Sequence, residues 1–548
     1  MKRQMKRTAR CFAASIAIAT ALAEPVIAAT KQKWPVFEAK VWRGETAYVQ
    51  TPEGVAENLE RFAGYDLDGV TITPLYFENV AFDKTEKATE VVRDRKGNVV
   101  KEKDGKDKTR SYQKFIAKES VADVCREWKP GDSHKPTMIK IVARPDANPV
   151  RRHIDLGSSG EIFTLTVLNR TLPPAKEWKY FLDLWQHPWA VSRFFDVKPF
   201  SKEHYEKMEP IWRNLADCGC KALTVTILDL PWNHQCYDGY HSMIRRMHLD
   251  SGLIVDYSLF DEYVEFGRKC GLGPDIACYT MCPWGYMATW EDKDGNIHRE
   301  KMLPGTPEFE EYWGRFLAGF AMHLKEKGWF EDTYIAMDER APKDVKLVCD
   351  LIQKYAPGMK VAMAGNKSPS EFEGITIDNY CQGLIHLRKH PKFFDELEPR
   401  RKQGHKTTFY VCASAMKPNT FMDSPLDEGY WLGAYPAITG FDGFLRWAAN
   451  SWPKNPYEDA SYRPRDWRAG DTFFIYPNGE LSARLIALRS GVVAAEKLRI
   501  LRDEGCGMRD EIEKEVADIA SKYDYKTAIY GKLDFPAFTR AMEALVNR

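Results

Sequence analysis

The chain has 548 residues and 63.0 kDa, 44% of them hydrophobic and 29% charged, which excludes disordered and collagen-like classes and leaves room for roughly three to four domain-sized units. Its 79 basic and 78 acidic residues give a formal net charge of +1. With no basic block large enough to coat a phosphate backbone, nucleic acid is a poor candidate partner and a neutral one fits better.

Lys2, Arg3, Lys6, Arg7 and Arg10 form a basic start, followed by an apolar run from Cys11 to Ala23 that ends in Ala21-Leu22-Ala23. This is the pattern of a secretory signal peptide over residues 1–23. The run is shorter than the roughly 20 residues of a membrane span, and Cys11 precedes it instead of following it, which argues against a lipid anchor. A soluble, exported protein, periplasmic or extracellular, is expected. Removal of the segment takes away five of the 79 basic groups and no acidic one. Of the twelve cysteines, eleven remain, an odd number. Cys278, Cys381 and Cys412 fall in apolar, strand-like runs as small buried hydrophobes do; Cys218 with Cys220, and Cys278 with Cys282, are the pairs to test for oxidation.

From about Lys31 to Pro174 short alternating segments are broken by turns. Ile139 to Val142 and Ile162 to Val167 read as half-buried strands, and the charged stretch Arg93 to Arg110, with Lys96-Gly97-Asn98 and Asp104-Gly105, as exposed hairpins. An antiparallel β-sandwich over 31–174 is expected. The Leu172-Pro173-Pro174 segment then stiffens the chain.

After it strand, loop and helix repeat. The expected strands are Tyr180–Trp185, Ala222–Leu228, Asp275–Tyr279, Thr333–Met337, Met359–Ala364, Ile375–Tyr380, Thr408–Ala413 and Gly440–Trp447. Helices are expected at Glu203–Ala216, Leu259–Cys270, Pro307–Lys327, Pro342–Tyr355, Asp427–Tyr435 and Ser482–Arg499. Eight such units over 178–501, without a glycine-rich nucleotide fingerprint, point to a (β/α)8 TIM-like barrel. The tail, 502–548, is charged and helix-prone and should pack outside the barrel. The fold class is thus multidomain: a β-sandwich, then an α/β barrel, then a short helical tail.

In such a barrel the chemistry sits just beyond the C-terminal ends of the strands. Those positions hold Trp185-Gln186-His187-Pro188-Trp189, Asp229 to His234 with Trp232, Tyr279 to Trp284, Asp338-Glu339-Arg340, Asp378-Asn379-Tyr380 and Arg446 to Trp452. Indoles stack on the C–H faces of sugars while Asp, Asn, His and Arg hold hydroxyls, so the set suits a neutral carbohydrate; packing is the other use for any single Trp. In the Asp338-Glu339 pair, neighbouring side chains diverge where a strand breaks, so one acid can sit low and the other reach a leaving-group oxygen. Two acids so close keep one proton near neutrality; Glu339 is expected to be the donor and Asp338 the anion. The alternative is a solvated pair opening the Pro342 helix.

Asp338-Glu339, the segments Gly443-Phe444-Leu445-Arg446-Trp447 and Asn450-Ser451-Trp452, Gly470-Asp471-Thr472-Phe473-Phe474-Ile475-Tyr476-Pro477 and the helix start Arg484 to Arg489 together resemble glycoside hydrolase family 123, over roughly Tyr180 to Leu501. The resemblance implies an exo-acting β-N-acetylgalactosaminidase with a sandwich and a (β/α)8 barrel. It implies a retaining, substrate-assisted mechanism in which Asp338 orients the 2-acetamido group and Glu339 is the general acid and base. It implies no metal or organic cofactor and a glycan or glycoconjugate ending in N-acetylhexosamine as partner, and it allows a homodimer; charge and the short apolar run already argue against nucleic acid and a membrane span. Strand-end position offers Asn379 or Tyr380 for the acetamido carbonyl, Trp447 or Trp452 as sugar floor, His187 or Asp229 for hydroxyls, and Tyr279 and Trp284 along the same rim.

Three other readings compete. A two-carboxylate glycosidase would use Glu339 with Asp229 or Asp378 on a sugar lacking the acetamido group. A metal site would draw on His234, His241 and His248, along one side of a helix, with Cys236 nearby. A carbohydrate-binding barrel without catalysis would gain nothing from two repelling acids.

Overall fold

The computed structural model describes residues 37–548 except 53–55, 103, 157–161, 251, 414–416, 464–466 and 505–508. The expected signal peptide, with Cys11, lies outside the described residues, as does Cys506. Eight strands come first: β1 Phe37–Arg43, β2 Thr46–Gln50, β3 Tyr65–Leu67, β4 Val70–Val91, β5 Thr109–Glu127, β6 Met138–Ala143, β7 Val150–Asp155 and β8 Ile162–Thr171. They form one sheet in the order β1-β8-β7 and another in the order β2-β6-β4-β3, with β5 on β4. Alternating residues, among them Ile139, Ile141, Phe163, Leu165 and Val167, face inward with Phe37, Val41 and Phe62 into one core.

The expected sandwich is present with one departure: β1 pairs β8 in parallel. A parallel pair needs a long connection, and these strands are separated by the whole domain. Arg93 to Arg110 is the end of the β4–β5 hairpin, with bridges Arg93–Val99 and Lys101–Asp107 and turns at Gly97 and Gly105.

The second part contains β9 Phe181–Leu184, α1 Pro188–Phe195, α2 Lys202–Asp217, β10 Ala222–Thr226, β11 Arg245–Leu249, β12 Gly252–Asp256, α3 Ser258–Lys269, β13 Asp275–Tyr279, β14 Met287–Asp292, β15 Ile297–Lys301, α4 Pro307–Glu326 and β16 Thr333–Asp338. It continues with α5 Pro342–Tyr355, β17 Lys360–Gly365, β18 Asn379–Gly383, α6 Phe393–Lys402, β19 Lys406–Tyr410, α7 Leu426–Thr439, β20 Gly443–Arg446 and α8 Ala483–Asp503. Helix starts follow local chemistry: Ser201, Thr306 and Ser482 accept hydrogen bonds from the backbone N–H three residues on. Eight parallel strands run in the order β10-β13-β16-β17-β18-β19-β20-β9.

The seam between β9 and β10 is closed largely by a side chain. Lys221 N–H donates to the Leu182 carbonyl at 2.8 Å, and the fully buried Gln186 accepts from Thr224 N–H at 2.8 Å and donates to the Ala222 carbonyl at 3.2 Å. All eight expected strands are present, but β18 begins at Asn379, four residues later than read, and β19 at Lys406, two earlier. The charged segment between β10 and α4 holds an unexpected small sheet, β12-β11-β14-β15.

The tail forms α9 Arg509–Lys522, α10 Tyr525–Ile529 and α11 Phe535–Val546, the last packed on α7 and α8. Helices α7 and α8 touch backbone to backbone: a Cβ on Gly433 would stand 2.3 Å from the Leu488 carbonyl and one on Gly491 2.1 Å from that of Tyr430. The sandwich joins the barrel through a buried ion pair. Asp123 receives Arg484 at 3.1 and 3.0 Å and the Tyr476 hydroxyl at 2.7 Å, while Arg484 also donates to the carbonyls of Thr420, Gly470 and Phe473.

Candidate active site

Tyr334 lines the barrel interior, and the two-residue repeat of a strand carries Ala336 and then Asp338 to the same side. Asp338 ends β16 deep in the C-terminal mouth, walled by protein yet open to water. Its carboxyl is pushed up to about 8, first by burial and then by the charge of Glu339; Arg340 and the indole N–H of Trp232, which donates to it, act the other way. The acid expected to stay anionic is therefore the one whose pKa rises, because it is Asp338 that the barrel desolvates. Its backbone carbonyl is held from two sides, by Trp284 Nε1 at 3.3 Å and Arg340 Nε at 3.0 Å.

Continuing the strand would turn Glu339 toward the helical layer. Instead Glu339 has φ of 49°, a left-handed conformation that costs a side chain roughly 1–2 kcal/mol. Its N–H still donates to the Ala364 carbonyl at 2.8 Å, and its carboxylate accepts the Tyr410 hydroxyl at 2.6 Å. Such strain persists where the surroundings enforce it, and functional sites are where it collects. Beside Tyr410 stand Gly383 and His386; a Cβ on Gly383 would be 3.1 Å from the Tyr410 hydroxyl and 2.8 Å from His386 Cδ2. The pair does not open the following helix: α5 starts at Pro342 and its first-turn acid is Asp344.

Trp185, Trp232 and Tyr279 form an aromatic wall next to Asp338. The two indoles stack at 5.0 Å, and Tyr279 lies 4.6 Å from Trp185 and 5.0 Å from Trp232. Trp185 Nε1 donates at 3.3 Å to Asp183, a buried carboxyl inside the barrel that burial pushes up to about 7.

Of the expected substrate contacts, Trp284 and Trp447, both half-buried, are brought to the mouth, whereas Tyr279 ends β13 there as a buried member of the aromatic wall. Others are not. Trp452 is fully buried and donates to the Ile475 carbonyl at 2.7 Å, so it braces the loop beneath the rim and is no sugar floor. His187 is fully buried and stacked on Tyr240 at 3.7 Å, which depresses its pKa to about 3 through burial; it cannot meet a hydroxyl. Asn379 and Tyr380 open β18 instead of ending it, so Asn379 lies lower in the interior and Tyr380 turns outward to the Lys367 carbonyl at 2.6 Å. Asp229 accepts Ser242 N–H at 2.7 Å and lines a separate 360 Å³ cavity beside β11 and β14.

Asp378, the other candidate nucleophile, accepts Val361 N–H at 2.8 Å below β18, at the end of the barrel away from the mouth. Trp232, one of the expected rim indoles, donates to Asp338; Tyr410 is not among the expected site residues. Tyr410 is the last residue of β19, but the apolar run continues through Val411 to Ala413 and masks the strand end in the sequence.

The three spaced histidines do not share a helix: His248 lies in β11 and His241 pairs with Asp229 at 3.8 Å. Among the described residues no group of three or more His, Cys, Asp or Glu could hold a metal ion, and no helix is long and apolar enough to cross a membrane. All ten described cysteines are free thiols; Cys278 and Cys381 are buried and Cys412 is half-buried.

A parallel eight-stranded barrel with acids and an indole wall at its C-terminal mouth is an arrangement glycoside hydrolysis can use. The catalytic-domain model of glycoside hydrolase 123 matches residues 185–501, and the chain belongs to that family. A family 123 glycoside hydrolase from Clostridium perfringens, described in connection with glycolipid glycan hydrolysis, has the same fold: TM-score 0.73 at 21% identity, covering 93% of each chain. A family 39 enzyme from Xanthomonas axonopodis pv. citri aligns at TM-score 0.37 and 11% identity over 59% of this chain and 66% of its own. No curated protein sequence matches the chain.

Proposed function

We propose that the protein is an exo-acting hydrolase that removes terminal β-linked N-acetylgalactosamine from glycans or glycoconjugates with retention, using the substrate's own 2-acetamido group as nucleophile. The observation that carries this reading is the adjacent pair itself: Asp338 desolvated against indoles, Glu339 turned out by its left-handed backbone onto Tyr410. The acetamido oxygen attacks the anomeric carbon as the glycosidic bond breaks, and Glu339 protonates the leaving oxygen. Water, deprotonated by Glu339, then attacks the same carbon and reopens the oxazolinium ring.

Between them the two acids keep one proton near neutrality. In the free protein the buried Asp338 holds it; a substrate amide N–H donated to Asp338 favours its anion and passes the proton to Glu339, where the leaving group needs it. No distant second carboxylate is required, which suits the placement of Asp378 below the barrel. The proposed substrate class includes the glycolipid glycans associated with the Clostridium perfringens enzyme.

The test is chromophore release from an aryl 2-acetamido-2-deoxy-β-galactoside, beside the gluco-configured and non-acetamido sugars, with a thiazoline mimic of the cyclic intermediate as inhibitor. Turnover confined to the galacto acetamido substrate, strong thiazoline inhibition, and loss of roughly 10²–10⁴-fold in kcat for Glu339→Gln are expected. Hydrolysis of a plain galactoside without thiazoline inhibition would overturn the mechanism. The basic and apolar start of the chain supports export, checked by the N-terminus of mature protein recovered outside the cytoplasm. The homodimer allowed by the family resemblance is read from light scattering.

A further inference from the structure

The β4–β5 hairpin extends far beyond the sandwich it belongs to. Strand β6 pairs β4 only from Val70 to Leu75, whereas β5 follows β4 out to Val91. The last part to touch the barrel is around Asp83, where Asp83 N–H donates to Ser461 at 2.7 Å, Arg463 reaches Asp83 at 3.0 Å and Lys118 reaches Asp459 at 2.7 Å. From Thr85 to Ala117, among the described residues, every hydrogen bond and ion pair stays within the ribbon, so an arm of two strands about 25 Å long, plus its turns, stands free.

The arm is organised. Glu86 meets Lys114 and Glu90 meets Arg110 across the strands, and Asp94 accepts from the backbone of Lys96 at 2.8 Å and of Asn98 at 2.9 Å to shape the first turn. An isolated two-stranded ribbon is marginal in water, and these contacts hold this one in shape.

Its charge and its root carry the inference. Between Lys84 and Lys118 there are twelve basic and six acidic residues, in a chain whose net charge is +1. Exposed Lys87, Arg95, Lys96 and Lys108 have no ion pair among the described residues. The root lies on the loop after β20, which also carries Tyr462, bonded to Tyr237, and Trp467, bonded to the Gln235 carbonyl in the loop after β10. In the barrel order β20 stands four strands from β16 in either direction. The arm is therefore rooted on the side of the barrel opposite Asp338 and Glu339, on a loop that follows the C-terminal end of β20.

We infer that the arm is a docking element for an acidic glycan, a chain carrying carboxylate or sulfate-ester groups beyond the sugar held in the mouth. The cations are spread along a ribbon, which suits a linear polyanion lying against it, and they would raise the local concentration of such a chain at the mouth. The inference rests on the barrel acting on glycans, which family membership gives, and not on which terminal sugar is cleaved.

The test is binding of chondroitin sulfate to the full chain by calorimetry, beside neutral dextran, phosphatidylserine-containing vesicles and duplex DNA. Chondroitin sulfate should bind and dextran should not, with affinity falling at least tenfold as salt is raised from roughly 0.05 to 0.3 M. The variant K87Q/R95Q/K96Q/K108Q should lose at least tenfold in affinity while its thermal midpoint and aryl-glycoside turnover stay as in the parent. A second variant, with residues 93–107 replaced by Asn-Gly between Val92 and Lys108, should behave likewise. Unchanged affinity in both variants, no binding of chondroitin sulfate, or equal or tighter binding of vesicles or DNA would overturn the inference. Binding is read without turnover, so failure of the proposed hydrolytic reaction leaves this result separately legible.

Discussion

Replacing Asp338 by Asn should stabilise the protein at alkaline pH and leave it unchanged at acid pH. Burial and the charge of Glu339 push the carboxyl up from its ordinary value of 3.8, kept in the unfolded chain, to about 8 in the folded one, so the folded state binds the proton more tightly. The stability contributed by that proton is fully present below pH 4 and is lost as pH rises from 4 to 8. A gap of about 4 units at 1.36 kcal/mol each would reach roughly 5–6 kcal/mol for a sealed carboxyl. Water reaches Asp338 in the mouth, so less than half of this, about 2 kcal/mol, is the expected gain of Asp338→Asn at pH 8. Urea unfolding of parent and variant between pH 4.5 and 8.5, followed by tryptophan fluorescence, measures it. Glu339→Gln removes the second cause of the shift and should flatten the parent's slope partway. A stability difference independent of pH, or a variant less stable than the parent at pH 8, would refute the desolvation argument.

The same shift sets the activity profile. If the pair must hold one proton, kcat/KM should fall about tenfold per pH unit above roughly 8, as that proton is lost, in stopped assays across pH 6–10. Tyr410→Phe removes the 2.6 Å hydrogen bond to Glu339; a hydrogen bond to a charged group contributes about 1.5–3 kcal/mol, so kcat should drop at least tenfold, most on substrates with poor leaving groups, with KM little changed. Trp452→Ala should cost about 3–5 kcal/mol in unfolding free energy with the KM of the folded fraction unchanged, whereas Trp447→Ala should raise KM. Asp123→Ala strands Arg484 in the buried contact between sandwich and barrel and should destabilise by about 3–5 kcal/mol in denaturant titration, with turnover by the folded protein intact.

The contrast between Trp447 and Trp452 shows where sequence reasoning reached and where it stopped. Strand periodicity located all eight barrel strands, because a buried parallel strand is a short apolar run whatever its tertiary neighbours. It misjudged register at Asn379 and Lys406, where the polar residues opening β18 and β19 look like loop. A slip of four residues moved Asn379 and Tyr380 from the bottom of the barrel to its rim, and reading β19 too far hid Tyr410.

The family-like segments behave differently again. Arg446 donates to Asp471 at 2.5 Å and to the Val411 carbonyl at 2.9 Å; Asn450 exchanges hydrogen bonds with the His187 backbone at 2.8 and 3.0 Å; Trp452 holds Ile475; Arg484 holds Asp123. These side chains fasten the end of β20 to β9, to β19 and to the sandwich. A buried arginine or amide with all its partners fixed tolerates little change, so such residues leave a recognisable pattern without touching substrate. Asp338 and Glu339 are the exception: two acids side by side at a strand end carry chemical meaning in the sequence itself. What it could not carry was which acid is desolvated, since that depends on Trp232 and Tyr279, brought to Asp338 by two other strands.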